Sequence, residues 1–230
     1  MTRLLVEVEG QTEETFVNEV LAPHLYSLGY TQIGARLLGN ARERERRGGI
    51  TAWPAARQDI LRHLRGDPGG LVTTMVDFYG LPKTDERAWP GRQAAGPLPF
   101  AQKAPTVEAA ILADVESALE SRFQRDRFIP FVLMHEFEAL LFSDCTAFAR
   151  GIDRVSLTAD FQAIRNQFAS PEEINDSPIT APSKRVKALV PDYVKPLMGT
   201  LAALEIGLDV LRRECPHFGT WLAELEARAP

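Results

Sequence analysis

Cysteine is scarce in this sequence, which contains only Cys145 and Cys215 among its 230 residues. The two lie far apart and belong to neither a Cys-x-x-Cys pair nor a pattern of zinc ligands. The sequence therefore gives no basis for a disulfide framework or a zinc site. We predict two free thiols in a reducing compartment.

Long apolar segments are also missing. No apolar run approaches the roughly 18 to 20 residues that a membrane-spanning helix needs, and Met1-Thr2-Arg3 leads directly into a short strand pattern rather than a signal peptide. Hydrophobic residues make up 45% and charged residues 25% of the chain, which is the usual balance of a globular protein. We therefore predict a folded, cytoplasmic protein with no membrane partner.

An excess of positive charge is absent too, because the formal net charge is -5. This argues against a protein that binds nucleic acid through its overall charge. The balance reverses locally, since the stretch between Arg36 and Arg65 is rich in arginine: Arg36, Arg42, Arg44, Arg46, Arg47, Arg57, Arg62 and Arg65. Two interpretations of this stretch stay open, a solvated helix face and a surface that contacts nucleic-acid phosphates.

Four short segments have the composition of β-strands. Residues 71–76 are the clearest, because this apolar run follows strong turn residues at 66–70 and ends at Asp77. The others are residues 4–8, 33–38 and 128–134, and Pro130 interrupts the last of them.

Three helical patterns alternate with these strands, at residues 12–28, 52–65 and 106–123. Residues 79–105 contain five prolines, and their apolar residues follow neither the helix nor the strand period, which predicts a long surface loop. The alternation predicts an α/β fold with a mostly parallel sheet of about four strands flanked by helices. Because no strand pattern follows Ser143, we predict an α/β core at 1–142 and a helical extension at 143–230, packed together as one compact unit.

Acidic residues follow three of the predicted strands where each strand ends: Glu9, Asp77, and Glu136 with Glu138. Ligands of open parallel sheets bind beyond the carboxyl ends of the strands, so these side chains are expected to converge. Clustered carboxylates repel one another unless a cation neutralises them, and oxygen ligands suit Mg²⁺ or Mn²⁺. The sequence therefore predicts a metal site held by Glu9, Asp77 and Glu136, with Glu138 as an alternative ligand or a general base.

Each of these residues also has a simpler interpretation. Glu9 can flank the start of a helix, Asp77 can begin a turn, and Glu138 can lie on a helix surface. His135 can orient a carboxylate, ligate a metal or simply pack at the end of a strand.

Six separated motifs, in order along nearly the whole chain, resemble the bacterial DUF4276 family. They are EGQTE (9–13), VDFYGLP (76–82), HEFEALLFSD (135–144), PEEIND (171–176), APSKR (181–185) and CPHF (215–218). That family is similar to Toprim-like domains, in which a glutamate after the first strand and a DxD pair after a later strand bind Mg²⁺. Glu9 matches the glutamate and Asp77 the first aspartate, whereas Tyr79 stands at the second aspartate position.

The resemblance implies a Toprim-like, Rossmannoid core and a nuclease of a phage-defence type of system that acts with an ABC/SMC-like or AAA-type ATPase encoded nearby. Lys184, beside Arg185, is a candidate to stabilise the charge of a scissile phosphate; a solvated helix start explains it equally well. We weigh three functions: a metal-dependent nuclease or related phosphotransfer effector, a non-catalytic regulator or sensor of the ATPase, and a hydrolase of small nucleotides. The sequence leaves homo-oligomer formation open.

Overall fold

The computed structural model describes residues 2–39, 51–119, 124–174 and 180–230. Its strands pair in the order β2-β1-β3-β4, and β5 also pairs with β3. They are β1 (Thr2–Val8), β2 (Tyr30–Leu37), β3 (Gly70–Asp77), β4 (Phe128–Ile129) and β5 (Val132–Leu133). All four of these pairings are parallel, so the prediction of a mostly parallel sheet flanked by helices is confirmed.

The fourth predicted strand consists of two short segments, β4 and β5. Pro130 separates them because proline has no N–H to donate to a strand ladder. The hydroxyl of Thr74 replaces the lost ladder contacts, since it donates to the Phe131 carbonyl and accepts from the Phe131 N–H, both at 2.9 Å. As a result β5 runs beside the end of β3, with Asp77 in register with Leu133.

Helices cover the sheet and form the C-terminal part. The predicted first helix is confirmed: α1 (Gln11–Phe16) continues through a π-helical turn (Val17–Leu21) into α2 (Ala22–Ser27). The other helices are α3 (Trp53–Gly66), α4 (Arg92–Ala95), α5 (Phe100–Leu119), α6 (Cys145–Gly151), α7 (Thr158–Arg165), α8 (Pro182–Leu189), α9 (Lys195–Ile206), α10 (Leu208–Glu214) and α11 (Pro216–Glu226). Within the described ranges, no helix is both long enough and apolar enough to cross a membrane.

The prediction of a loop that extends to residue 105 is wrong at its C-terminal end. The helix α5 already begins at Phe100 and contains Pro105. Proline in a helix leaves one carbonyl without its donor, here that of Ala101, a residue exposed to solvent, so water can bond to it. The hydroxyl of Thr106 also donates to the Gln102 carbonyl at 2.7 Å in the same turn.

Two hydrophobic clusters lie on opposite faces of the sheet. The larger one joins Val6 and Val8 of β1 to α1 and to the C-terminal helices, and the smaller one lies between the sheet, α3 and α5. Trp221 of α11 donates its indole N–H to the Thr73 hydroxyl at 2.8 Å and stacks on Phe131 at 4.4 Å. The C-terminal helices therefore share a core with the sheet, and a boundary at residue 142 stays a prediction.

Glu7 of β1 is fully buried and faces α3, where His63 Nε2 lies 3.3 Å from its Oε1. Burial and the nearby Asp59 raise the pKa of Glu7 to about 8, and burial lowers the pKa of His63. Both side chains are therefore mostly uncharged near pH 7, so the contact is not a full ion pair.

We expect Glu7 to make the protein less stable as the pH rises. A carboxyl whose pKa goes from 4.5 when unfolded to about 8 when folded gives its full stabilisation below pH 4.5 and loses it between pH 4.5 and 8. The loss amounts to at most about 5 kcal/mol. Urea unfolding from pH 5 to pH 8 should show a flatter pH dependence in Glu7→Gln than in the wild type. Parallel curves for the two proteins would contradict the assignment.

Candidate metal centre

The ends of β1 and β3 bring Glu9 and Asp77 together. The Glu9 N–H donates to the Met75 carbonyl at 3.3 Å, so the chain after β1 still follows β3. The Asp77 N–H in turn donates to Glu9 Oε2 at 3.1 Å. The predicted proximity of these two acidic residues is therefore observed, and it follows from the parallel pairing of their strands.

A third carboxylate, Glu13, comes from the first turn of α1. Glu13 is buried, and Gly10 leaves room for it, because a Cβ at position 10 would lie 3.2 Å from Glu13 Oε2. Burial, with the Coulombic effect of Glu9, raises the pKa of Glu13 to about 7. Glu13 is not among the ligands predicted from the sequence, where it is the last residue of the EGQTE motif, four residues after Glu9.

The segment after β5 adds two more carboxylates, Glu136 and Glu138. Both contact a cation from another element, Lys195 at the start of α9. Glu136 Oε2 accepts the Ser183 N–H at 2.8 Å, and Glu136 Oε1 lies 3.5 Å from Lys195 Nζ. Glu138 is 1% exposed, and its Oε2 lies 3.2 Å from the same Nζ. Lys195 therefore bridges the two glutamates.

We call Glu9, Glu13, Asp77, Glu136 and Glu138 the acidic cluster. Burial and then the charges of the other four members raise the pKa of Asp77 well above its usual range. Burial raises the pKa of Glu138 to about 7, even though Lys195 lowers it. Among the described residues, no hydrogen-bond partner reaches the buried atoms Asp77 Oδ1 and Glu138 Oε1. If every member were ionised, the cluster would hold more negative charge than Lys195 alone neutralises, and the raised pKa values reflect this repulsion together with burial.

The donor chemistry of the acidic cluster fits a hard divalent cation. Carboxylate oxygens are the ligands that Mg²⁺ and Mn²⁺ prefer, and unpartnered buried oxygens are costly unless a cation or a proton satisfies them. As the described side chains stand, however, no three His, Cys, Asp or Glu residues are arranged to hold one ion. Lys195 contacts two of the carboxylates, Glu136 and Glu138. Ligation by Glu9, Asp77 and Glu136 therefore stays a prediction.

Comparison with known protein families identifies the family of this chain. The family model described as "Domain of unknown function (DUF4276)" matches residues 8–226. The chain belongs to the DUF4276 family. No curated protein matches the chain at a significant level.

Among solved structures, this DUF4276 chain is similar to the C-terminal region of the Xanthomonas campestris pv. campestris OLD protein. The TM-score is 0.41 and the sequence identity 15%, over 98% of this chain and 94% of that chain. A likeness of this size carries no argument about activity.

Other residues singled out from the sequence of the DUF4276 chain have different positions. Lys184 is exposed on α8, and the cation that contacts the acidic cluster is Lys195 instead. His135 is buried and stacks on Tyr79 with ring centroids 4.9 Å apart, which agrees with the packed interpretation of this residue. Any role of Lys184 in catalysis stays a prediction.

The arginine-rich stretch is only partly available to phosphates. Arg57 pairs with Asp114, Arg62 pairs with Asp59, and Arg65 donates to the Ala118 carbonyl. The arginines at positions 42, 44, 46 and 47 lie outside the described residues. Nucleic-acid contact through this stretch stays a prediction.

Two motifs of the resemblance have a structural role in the DUF4276 chain. Glu172 accepts the N–H groups of His217 and Phe218, at 3.0 and 2.9 Å, and so caps the start of α11. Glu108 accepts the Val132 N–H and contacts His217 Nε2, both at 2.8 Å. These contacts attach α11 to the broken strand next to the acidic cluster. Both cysteines are free, as predicted, and the structure shows that both are buried.

Proposed function

We propose that this chain binds Mg²⁺ or Mn²⁺ at the acidic cluster and hydrolyses phosphodiester bonds of nucleic acid. The observation that carries the proposal is the gathering of five carboxylates at one sheet edge, with two buried oxygens unpartnered. Such a set of hard oxygen donors leaves room on the ion for water and phosphate oxygens. Glu9, Asp77 and Glu136 would hold the ion.

The side chains around the cluster suit phosphoryl chemistry. A bound ion would act as a Lewis acid on a phosphoryl oxygen. Lys195 Nζ, within 3.5 Å of two carboxylates, would stabilise negative charge that develops on the phosphate. Glu138, with a pKa of about 7, can accept a proton near neutral pH, as a general base must.

The test is cleavage of oligonucleotides in the presence of Mg²⁺ or Mn²⁺. We expect Glu9→Gln to lower the rate by about 100-fold or more, because it removes the charge of a ligand that the ion needs. Isothermal titration with Mn²⁺ should show weaker binding by the same variant. Gel assays with single strands and duplexes measure the rate.

Glu7→Gln is a matched control for this experiment. It makes the same substitution on the same strand at another buried glutamate, but Glu7 faces α3 and His63 rather than the acidic cluster. We expect its cleavage rate to stay within about twofold of the wild-type rate, a change of under about 0.5 kcal/mol in the barrier, because Glu7 lies against His63 of α3. Equal rates in the wild type and both variants would remove Glu9 from the proposed centre.

One observation favours a second function, that of a non-catalytic regulator or sensor of an ABC-type or AAA-type ATPase. Lys195 contacts Glu136 and Glu138, so the protein itself balances part of the charge of the cluster. This function predicts co-purification with the ATPase and no stabilisation by Mg²⁺ or Mn²⁺. A hydrolase of small nucleotides would instead cleave nucleotides but no polymer.

A further inference from the structure

The turn after β3 fixes Tyr79 next to the acidic cluster. The Gly80 and Leu81 N–H groups both donate to the Asp77 carbonyl, at 3.0 and 3.2 Å. The chain at Gly80 lies directly against Glu9, since a Cβ at position 80 would be 3.4 Å from Glu9 Oε1. The backbone of this turn, which carries Tyr79 between Asp77 and Gly80, is therefore held beside the carboxylate of Glu9.

Tyr79 is exposed despite its aromatic ring. It is 43% exposed, whereas the preceding Phe78 is buried. One face of the Tyr79 ring stacks on His135, with centroids 4.9 Å apart and planes 4° from parallel. The His135 ring in turn lies 6.2 Å from the ring of Phe100. An ordered aromatic surface thus begins in the core and ends in solvent at Tyr79.

Positive charge surrounds the same ring. Lys103 Nζ lies 3.4 Å from the Tyr79 hydroxyl and 5.7 Å from the ring centroid. The guanidinium carbon of Arg92 lies 5.6 Å from that centroid, and Arg92 is held in place by its bond to the Phe78 carbonyl at 2.7 Å. We call Tyr79, His135, Phe100, Lys103 and Arg92 the stacking rim.

We infer that the stacking rim binds an unpaired nucleobase and that the substrate of the acidic cluster is therefore single-stranded nucleic acid. This inference rests on the proposed function. Aromatic rings with neighbouring cations are the usual means of binding single strands, because each base offers a flat face and each phosphate a negative charge. In a duplex both faces of a base are covered by its neighbours, so Tyr79 can stack only on a base that is unstacked.

The experiment uses single-stranded DNA that carries one 2-aminopurine, whose fluorescence falls when it stacks. Binding is measured with Ca²⁺ in place of Mg²⁺, so that cleavage plays no part. We expect Tyr79→Ala to bind the strand about tenfold more weakly and to lose the fluorescence change, whereas Tyr79→Phe keeps both. The matching duplex should bind more weakly and show no dependence on Tyr79. Competition by mononucleotides, compared with unlabelled RNA and DNA strands, shows whether a single base or a polymer is preferred.

Tyr26→Ala is the control, because Tyr26 is similarly exposed, at 46%. Its hydroxyl contacts the Ile33 carbonyl of β2, the outer strand on the other side of the sheet from β4. Thermal melts of all the variants check that they are folded. Binding by Tyr79→Ala within about twofold of the wild type, or an equal loss for the duplex, would overturn the inference. A protein that binds through Tyr79 but never cleaves would instead contradict only the proposed hydrolysis.

Discussion

Asp77→Asn is expected to abolish the stabilisation that Mg²⁺ gives to the wild-type protein. Asp77 contributes a buried oxygen without a partner among the described residues, and burial, together with four further carboxylates, raises its pKa. An ion present at a hundredfold excess over its dissociation constant would stabilise the fold by about 2.7 kcal/mol. For a chain of this size that corresponds to a melting temperature about 5 to 10 °C higher. The variant should show almost none of this increase.

The same variant should be more stable than the wild type when no metal is present. A carboxyl whose pKa is raised on folding stabilises the protein fully below its usual pKa, and that stabilisation is lost as the pH rises through the folded value. The amide that replaces this carboxyl cannot ionise, so the advantage of Asp77→Asn should be largest at pH 8 and small near pH 4. The amide can also donate to neighbouring carboxylates, which the aspartate cannot do.

Differential scanning calorimetry with and without Mg²⁺, at pH 5 and pH 8, measures both effects. Asp209→Asn is a suitable control, because Asp209 is exposed in the first turn of α10. It should leave both the response to Mg²⁺ and the pH dependence unchanged. If Asp77→Asn gained as much from Mg²⁺ as the wild type does, Asp77 would not be a ligand.

Gly219→Ala is expected to destabilise the protein by about 2 to 4 kcal/mol, as overpacking of a rigid contact does. A Cβ on Gly219 of α11 would lie 2.5 Å from the Arg212 carbonyl oxygen of α10. That atom belongs to the backbone, so no side-chain rotation relieves the clash. The helix α11 cannot shift freely either, since Trp221 is bonded to Thr73 of β3. Melting temperatures should fall by roughly 5 to 15 °C.

Gly66→Ala supplies the comparison for this stability measurement. Gly66 is also a helical glycine, at the end of α3, but a Cβ there meets no atom within 4 Å. Alanine should change the stability by less than about 1 kcal/mol, in the stabilising direction. Two variants with equal melting temperatures would show that α10 and α11 are not tightly packed at Gly219.

Local patterns in the chain were enough to predict most of the sheet. The apolar runs around Val6 and Val72 are each followed by turn residues and then by a segment whose apolar residues recur at helical spacing. Few folds are compatible with such an alternation of strands and helices. The start of α5 was not predictable in the same way. Prolines signal a loop in sequence, but Pro105 lies inside a helix because the Ala101 carbonyl that it leaves free can reach water.

The sequence by itself determined that Glu9 and Asp77 emerge at the same sheet edge, because parallel strands place their carboxyl ends together. Only the tertiary structure decided what surrounds them. Lys195 comes from a helix far along the chain, and the carboxylate of Glu13 is buried beside Gly10. Such contacts depend on how the C-terminal helices pack on the sheet. Hydrophobic periodicity shows which face of a segment is buried, but not which distant segment packs against it.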